Sequence, residues 1–221
     1  MTYRFKTVPF QHQANVLERC WEHTNWAWFL EMGTGKSKIC IDNVGLLYEE
    51  GRINTFVVVA PKGVYRNWAK QELPKHLPDR IPQTMVIWTP TPTKAQKNSL
   101  KAILEPSDSL RIFIVNVEAL STVKGQRFLE RLLKSSEALL AIDESTTIKS
   151  PKARRTKAII RIGELAKYRR ILTGSPVTQS PLDLWAQCRF LGKDLLGDVG
   201  DNWYQFQYRY AVMKRRQLGS H

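Results

Sequence analysis

The sequence has 221 residues, and its 34 lysines and arginines against 20 aspartates and glutamates give a formal net charge of +14. Hydrophobic residues make up 43 % of it, which is enough for a packed core and excludes an intrinsically disordered chain. No run of about 18 apolar residues is present, which excludes a membrane-spanning helix and leaves a basic globular protein of one domain, or one domain with an appendage.

Short apolar runs alternate with helical patterns along the sequence. Residues 55–60 form a β-branched run without polar alternation, which is typical of a strand buried on both faces. Residues 36–50 instead carry apolar side chains at helical spacing. In chain order, the predicted strands cover residues 26–30, 55–60, 84–88, 110–115, 138–142 and 168–172, and the predicted helices cover residues 36–50, 65–73, 93–104, 126–134, 152–166 and 181–191.

This alternation predicts an α/β fold with a mostly parallel central sheet and helices on both faces. In such folds ligands bind at the carboxyl ends of the strands. We assign residues 1–191 to one α/β domain and residues 192–217, which are rich in glycine, aspartate and aromatic side chains, to a peripheral extension. Residues 218–221, Leu-Gly-Ser-His, are interpreted as the remnant of a purification tag.

A glycine-rich segment follows the first predicted strand and opens a predicted helix, which is the context of a phosphate-binding loop. After Glu31 it reads Met32, Gly33, Thr34, Gly35, Lys36 and Ser37. The glycines let the backbone turn tightly and point amide N–H groups at phosphate oxygens. Lys36 is predicted to neutralise the β- and γ-phosphates, and the Ser37 hydroxyl to bind Mg²⁺. Because the strict pattern needs a glycine where this chain has Leu30, a glycine turn with a solvated lysine is the alternative.

A pair of acidic residues follows another predicted strand. Asp143 and Glu144 come directly after the apolar residues 138–142. Here Asp143 is predicted to hold Mg²⁺ through water, and Glu144 to orient or deprotonate the attacking water. The alternative is a loop in which Asp143 caps the next helix. Because both halves of a phosphate site occur, each after a strand, the sequence predicts a phosphate hydrolase.

Positive charge is concentrated between Lys149 and Arg170, where nine lysines and arginines stand against Glu164 alone. Such clustering favours a polyanionic partner, above all the phosphates of nucleic acid. A solvated basic face is the alternative. The charge therefore makes nucleic acid the first partner to consider.

The cysteines and the N-terminus bear on the compartment. The three cysteines are far apart and odd in number, which favours free thiols in a reducing compartment over disulfides or a zinc site. No apolar segment follows the first basic residues, so we expect no secretory signal. A protein that is cytoplasmic or nucleoid-associated, not secreted and not bound to a membrane, is expected.

Several of these segments resemble the motifs of superfamily 2 helicases, particularly those of the Swi/Snf-type branch. Residues 31–37 resemble motif I of that branch, in which the outer glycine is absent. The remaining motifs follow in the family's order, with motif Ia at residues 58–62 and Asn67, Trp68 and Glu72, a looser motif Ib at 115–120, motif II at 143–146 with 148–151, motif III at 172–176 with 182–185, and the glutamine motif at 9–13. The resemblance covers about residues 9–191.

The resemblance implies a RecA-like ATP-binding lobe of a DNA-dependent ATPase that couples ATP hydrolysis to translocation on duplex DNA. In this lobe Lys36, Asp143 and Glu144 would be catalytic, and Gln13 would recognise adenine, with Gln11 as the alternative. Thr173 and Ser175 of motif III would couple the nucleotide to the DNA-binding surface. The residues expected at that surface are Lys62, Asn67, Lys149, Lys152, Arg154 and Arg155.

Members of the family also carry a second RecA-like lobe with an arginine finger, and nothing in this sequence resembles it. We therefore expect the chain to be the first lobe only, a monomer whose partners are duplex DNA and the second lobe of its parent protein. Such a lobe would bind ATP and Mg²⁺ and hydrolyse ATP slowly. Thr146 stands where motif II of this branch usually has histidine.

Two other functions stay open at this point. A nucleotide-gated DNA-binding switch would not hydrolyse ATP, and Glu144 argues against it because a switch does not need that acid. A small-molecule kinase is the other, and it has no place for the Leu-Thr-Gly-Ser-Pro segment at residues 172–176. The aromatic run at residues 203–210 is interpreted as local packing, or a contact face for the second lobe, rather than as a base-stacking surface.

Overall fold

The computed structural model describes residues 3–212, and within them six strands form one sheet. The strands are β1 (Asn25–Phe29), β2 (Thr55–Ala60), β3 (Gln83–Ile87), β4 (Leu110–Asn116), β5 (Ala138–Asp143) and β6 (Tyr168–Thr173). They lie in the order β1-β6-β5-β2-β4-β3, and every neighbouring pair is parallel. The predicted α/β fold with a parallel sheet is therefore confirmed, and all six predicted strands form within two residues of their expected bounds.

Helices cover both faces of the sheet. One face carries α1 (Gln11–Cys20), α2 (Lys36–Glu49), α3 (Tyr65–Asn67), a π-helix (Trp68–Glu72) and α4 (Leu73–His76), and the other carries α5 (Lys94–Ala102), α6 (Val123–Lys134), α7 (Arg154–Gly163) and α8 (Leu184–Leu191). Alternate residues of β2 point to opposite faces, so Phe56 and Val58 join the core under α2 while Val57 and Val59 join the core under α6. The lack of polar alternation in β2 is thus explained by burial on both sides.

The predicted helix end before Pro74 is wrong. The helical segment continues through Pro74 to His76, and its middle part, Trp68–Glu72, is a π-helix. Proline has no N–H to donate to the carbonyl one turn earlier, and it normally ends or kinks a helix. Here Pro74 lies in the first turn of α4, where its missing N–H is tolerated, and a wider helical turn precedes it.

A buried arginine fixes α1 and α2 to the sheet. The Arg170 side chain, on β6, is fully buried and donates to Asn43 Oδ1 at 3.0 Å and to the carbonyls of Thr24 and His23 at 3.0 and 2.7 Å. Burial lowers the pKa of Arg170 to about 10, so its guanidinium stays charged at neutral pH. Because an unpaired buried charge is costly, these bonds set where the helices that carry Gln13 and Lys36 sit.

The segment after α8 forms a 3₁₀-helix (Lys193–Val199) and α9 (Trp203–Tyr210). It packs on α8 through a small cluster in which Trp185 meets Val199 and Phe206. The predicted boundary at residue 192 stays a prediction, and residues 213–217 of that extension and the predicted tag remnant at 218–221 lie outside the described residues. Within residues 3–212 no helix has the length and apolar character needed to cross a membrane.

Candidate nucleotide-binding site

The glycine-rich loop connects β1 to the first turn of α2. Gly33 and Gly35 have φ angles of +79° and +84°, in the left-handed region that favours glycine. Lys36 begins α2, and its ammonium donates to the carbonyls of Leu30 and Glu31 at 2.9 and 3.0 Å. The loop therefore wraps around the Lys36 head group, and the free N–H groups of the α2 N-terminus lie behind it. This geometry suits an anion.

Gln13 on α1 braces the loop from the side. Its Nε2 donates to the Thr34 carbonyl at 3.0 Å, and its Oε1 accepts from the backbone N–H of Phe10 at 3.0 Å. His12 donates to the same Thr34 carbonyl at 3.0 Å. Gln11, the alternative, is exposed and donates to Asn15 Oδ1 within the helix. Gln13 is thus the glutamine that meets the loop, and its contact with adenine stays a prediction.

Asp143 and Glu144 lie at the carboxyl end of β5. Asp143 Oδ2 accepts from the indole N–H of Trp68 at 2.9 Å, and its Oδ1 accepts from the backbone N–H of Glu144 at 3.1 Å. Burial, aided by the neighbouring Glu144 charge, raises the pKa of Asp143 above its usual range. Glu144 has φ +49°, the single positive φ of a non-glycine residue between residues 3 and 212. Such strained backbone is concentrated at functional sites.

These residues share one pocket of about 420 Å³. Of the predicted site residues, Met32, Gly33, Gly35, Lys36, Ser37, Asn67, Asp143 and Glu144 line it, whereas Thr34 and Gln13 form the outer wall of the loop. The sequence did not point to Lys38, Lys75 or His76 as lining residues. Lys38 lies two positions after Lys36 on α2, but Lys75 and His76 come from beyond Pro74, where a helix end was predicted. Their presence follows from the continued helix.

The donor set fits magnesium held together with a nucleotide. Among the described residues no group of three or more His, Cys, Asp or Glu side chains could hold a metal ion alone. Mg²⁺ keeps several waters and is usually bound by one or two carboxylates plus substrate phosphates. The Asp143 carboxylate and the Ser37 hydroxyl line the same pocket and are hard oxygen ligands of this kind.

Motif III contacts the phosphate loop. In the segment that follows β6, Ser175 donates its backbone N–H to Thr173 Oγ1 at 3.2 Å. Gly174 lies so close to the loop that a Cβ there would stand 3.2 Å from Met32 Cγ. The predicted coupling residues Thr173 and Ser175 therefore flank a glycine that packs directly on the nucleotide loop. Their coupling role itself stays a prediction.

Gln187 on α8, which the sequence did not single out, joins motif II to the two parts of motif III. The Ser145 hydroxyl donates to Gln187 Oε1 at 2.6 Å, and Gln187 Nε2 donates to the carbonyls of Pro176 and Asp183 at 2.8 and 2.9 Å. Ser145 and Gln187 are fully buried. No local pattern marks this pair, because 42 positions separate its members.

The six predicted DNA-binding residues fall into three groups. Asn67 lines the nucleotide pocket. Lys149 donates to Thr178 Oγ1 at 2.6 Å and lies 3.6 Å from Asp183, and Arg155 donates to the Thr147 carbonyl at 2.9 Å. Lys62, Lys152 and Arg154 are exposed.

Asp183 is built to stay ionised beside Lys149. Burial would raise its pKa, but hydrogen bonds from the backbone N–H groups of Gln179 and Thr178, together with the Lys149 charge, lower the pKa to about 2. The Lys149–Asp183 ion pair therefore stays charged at any physiological pH, and it connects the end of motif II to the start of α8.

The all-parallel sheet, with a phosphate loop after β1 and an acidic pair after β5, defines a RecA-like lobe of the P-loop NTPase class. The chain belongs to the family described as SNF2-related domain, whose model matches residues 12–219. It is an N-terminal, ATP-binding lobe of the Swi/Snf branch of superfamily 2, as the motifs indicated.

Relatives and solved structures agree with this family. The chain is 27 % identical over 227 residues to Protein CHROMATIN REMODELING 24 of Arabidopsis thaliana, which covers 96 % of the chain and 19 % of that protein. It is 27 % identical over 176 residues to Lymphoid-specific helicase of Homo sapiens, which covers 79 % of the chain and 20 % of that protein. The chain thus spans about a fifth of the length of these curated relatives.

The fold is similar to that of a solved ATPase core. The Sulfolobus solfataricus SWI2/SNF2 ATPase core in complex with dsDNA matches with a TM-score of 0.70 at 22 % identity, covering 94 % of this chain and 40 % of that chain. A second structure, the ATPase core domain of the same source, matches with a TM-score of 0.64 at 24 % identity. At these identities the likeness establishes the fold.

Proposed function

We propose that this chain is the nucleotide-binding half of a DNA-dependent ATPase, in which ATP hydrolysis drives translocation on duplex DNA. The observation that carries the proposal is the single pocket in which Lys36 and Ser37 of the phosphate loop face Asp143 and Glu144. The loop with its lysine follows β1 and the acidic pair lies at the end of β5, so two separate parts of the sheet edge converge on the pocket. A glycine turn with a solvated lysine would not need that convergence.

Each residue has a distinct task in this proposal. The N–H groups of the loop and the Lys36 ammonium bind the β- and γ-phosphates, and Lys36 exchanges its carbonyl partners for phosphate oxygens. Ser37 and Asp143 would hold Mg²⁺, which would supply positive charge against the negative charge that develops on the phosphates. Glu144 orients the attacking water and accepts its proton. Trp68 fixes the Asp143 carboxylate through its 2.9 Å hydrogen bond.

Hydrolysis by the isolated chain is expected to be slow. The cations that line the described pocket are the lysines Lys36, Lys38 and Lys75, and no arginine is among the lining residues. An arginine that reaches the γ-phosphate accelerates phosphoryl transfer by about 10³- to 10⁵-fold. We propose that the second lobe of the parent protein supplies this group, and that the isolated monomer binds ATP without turning it over rapidly.

Duplex DNA is the proposed track. The chain carries a net charge of +14, and Lys62, Lys152 and Arg154 are exposed basic side chains near the ends of β2 and the start of α7. Basic side chains of this kind bind backbone phosphates without reading sequence. A relative of the same fold was solved in complex with dsDNA, which supports this assignment.

The experiment that tests the proposal measures ATP binding and steady-state ATPase activity of the chain, each with and without duplex DNA. We expect Mg²⁺-dependent binding that Lys36→Ala weakens at least about tenfold, and turnover close to background. Glu144→Gln should keep the binding and remove the residual turnover. Glu105→Gln, an exposed acid far from the pocket, is the matched control and should change neither.

Three results would contradict the proposal. Equal ATP binding by the unchanged chain and by Lys36→Ala would refute the assignment of Lys36 to a phosphate site. Rapid turnover by a monomer would refute the need for a second lobe. DNA binding that responds to ATP, with no hydrolysis even in the two-lobed parent, would instead establish the nucleotide-gated switch.

A further inference from the structure

A groove that the nucleotide site does not use lies between α5 and α6. Its volume is about 970 Å³, against about 420 Å³ for the nucleotide pocket, and the two share no lining residue. Both helices pack on the same face of the sheet through Leu100 and Leu129. The groove is therefore the unfilled space between two neighbouring helices, beside the edge strand β3.

The floor of the groove is apolar. It consists of Trp88, which follows β3, with Leu100 and Leu104 from the α5 side and Phe128 from α6. Trp88 and Phe128 pack against each other with ring centroids 5.5 Å apart. Val123, at the mouth, is 52 % exposed. A groove of this size with aliphatic and aromatic walls accommodates large apolar side chains.

The charged side chains at the rim of the groove are all basic. Each helix contributes three cations at positions i, i+3 and i+7, so that they share one helical face: Lys94, Lys97 and Lys101 on α5, and Lys124, Arg127 and Arg131 on α6. No acidic side chain lines the groove. None of the ion pairs formed between residues 3 and 212 includes a rim cation. Like charges at this spacing repel one another, and an anionic partner would relieve that repulsion.

We propose that this groove docks an acidic peptide segment of a partner protein, with two or three large apolar side chains seated on the floor and flanking carboxylates paired with the rim. Such a segment would cover the apolar floor and neutralise the basic rim at the same time. An amphipathic helix in a groove is a common recognition mode, with anchors at i, i+4 and i+7.

Nucleic acid would use only the rim. Bases stack on open aromatic faces, but Trp88 is only 3 % exposed, and the ammonium of Lys124 lies over its ring at 5.8 Å from the centroid. Phosphates carry no apolar group that would cover Leu104 or Val123. The apolar floor therefore favours a peptide.

The test uses a fluorescein-labelled helical peptide of about 15 residues, with Leu, Phe and Leu at i, i+4 and i+7 and glutamate at the flanking positions. Fluorescence anisotropy with the whole chain should give saturable binding. Replacing the three anchors by alanine, or the glutamates by glutamine, should each weaken binding at least about tenfold. Spectra of ¹⁵N-labelled protein should place the shift changes at the Trp88 indole.

Charge-swapped variants locate the surface without endangering the fold. Lys97→Glu with Arg127→Glu reverses two exposed rim charges and should weaken peptide binding at least about tenfold. Lys70→Glu with Lys193→Glu makes the same change in net charge at exposed sites outside the groove and should have little effect.

Four outcomes overturn the proposal. The first three are absence of saturable peptide binding, equal weakening of binding by the two charge-swapped pairs, and equal binding of the alanine-anchored peptide. The fourth is that the chain binds a single-stranded or duplex DNA oligonucleotide but not the peptide, and that the rim variant abolishes this DNA binding. The last outcome would assign the groove to nucleic acid. ATP binding by the chain is unaffected in every case, so the test is independent of the proposed nucleotide site.

Discussion

The contact between Gln13 and the phosphate loop makes a sharp prediction about Gly35. A Cβ at Gly35 would lie 2.3 Å from Gln13 Nε2, whereas one at Gly33 would meet nothing within 4 Å. Both glycines have positive φ, +84° and +79°. Gly33→Ala therefore introduces backbone strain alone, and Gly35→Ala introduces the same strain and displaces Gln13.

The magnitudes follow from these contacts. An L-residue in the left-handed region costs about 1 kcal/mol, so Gly33→Ala should lower the free energy of unfolding by about that amount. Displacing Gln13 breaks its bonds to the Thr34 carbonyl and the Phe10 N–H, each worth about 1 kcal/mol. Gly35→Ala should therefore cost about 3 kcal/mol, roughly 2 kcal/mol more than Gly33→Ala.

Urea denaturation of four proteins measures the energetic coupling between Gln13 and Gly35: the unchanged chain, Gln13→Ala, Gly35→Ala and the double variant. With Gln13 truncated the added methyl has room, so Gly35→Ala should then cost only about 1 kcal/mol, a coupling of about 2 kcal/mol. Gly33→Ala, alone and combined with Gln13→Ala, is the matched control, and the changes that these two substitutions make in the free energy of unfolding should add. Equal costs for Gly33→Ala and Gly35→Ala, or a coupling near zero, would refute the bracing role of Gln13.

Two further predictions concern buried polar groups. Burial, with the charges of Lys38 and Lys75, lowers the pKa of His76 from 6.5 to about 4. As the pH drops, the unfolded chain therefore takes up this proton first, and the free energy of unfolding should fall by up to ~3 kcal/mol between pH 6.5 and pH 4. His76→Gln should reduce this dependence of the free energy of unfolding on pH, which urea titrations at several pH values measure. Gln187→Leu leaves the Ser145 hydroxyl buried without its acceptor and should lower the free energy of unfolding by ~2 kcal/mol, whereas adding Ser145→Ala should recover part of the loss in the same assay. A pH slope unchanged by His76→Gln, or a double variant no more stable than Gln187→Leu, would contradict the respective assignment.

The fold could be predicted from the sequence because its signals are local. Residues 56–60 of β2 and 138–142 of β5 are continuous apolar runs, and residues 36–49 have helical spacing after a glycine turn. At each of these places the spacing of the apolar residues matches the burial that the structure shows, so the order of strands and helices could be predicted directly. The phosphate loop and the acidic pair were placed for the same reason, since each lies immediately after a strand that the pattern already defined.

The contacts between elements could not be predicted in the same way. Lys149 is one of a run of basic residues in the sequence, and only the fold brings it 3.6 Å from Asp183. The Ser145–Gln187 pair likewise joins two positions that have no shared pattern. Charge clustering indicates a basic surface, but it does not separate the cations that face solvent from those that hold the chain together.

The segment from Lys62 to His76 shows why one misjudged helix end mattered. Lys62 is exposed on the turn after β2, Asn67 lines the nucleotide pocket, and Trp68 donates to the Asp143 carboxylate. A helix that ended before Pro74 would leave His76 outside the pocket that it lines. This single segment therefore runs from an exposed basic side chain, Lys62, to the Trp68 indole, which is hydrogen-bonded to the Asp143 carboxylate. Motif III packs on the phosphate loop through Gly174, which lies against Met32, a residue that lines the pocket. Two segments that each begin at the carboxyl edge of the sheet therefore support the pocket.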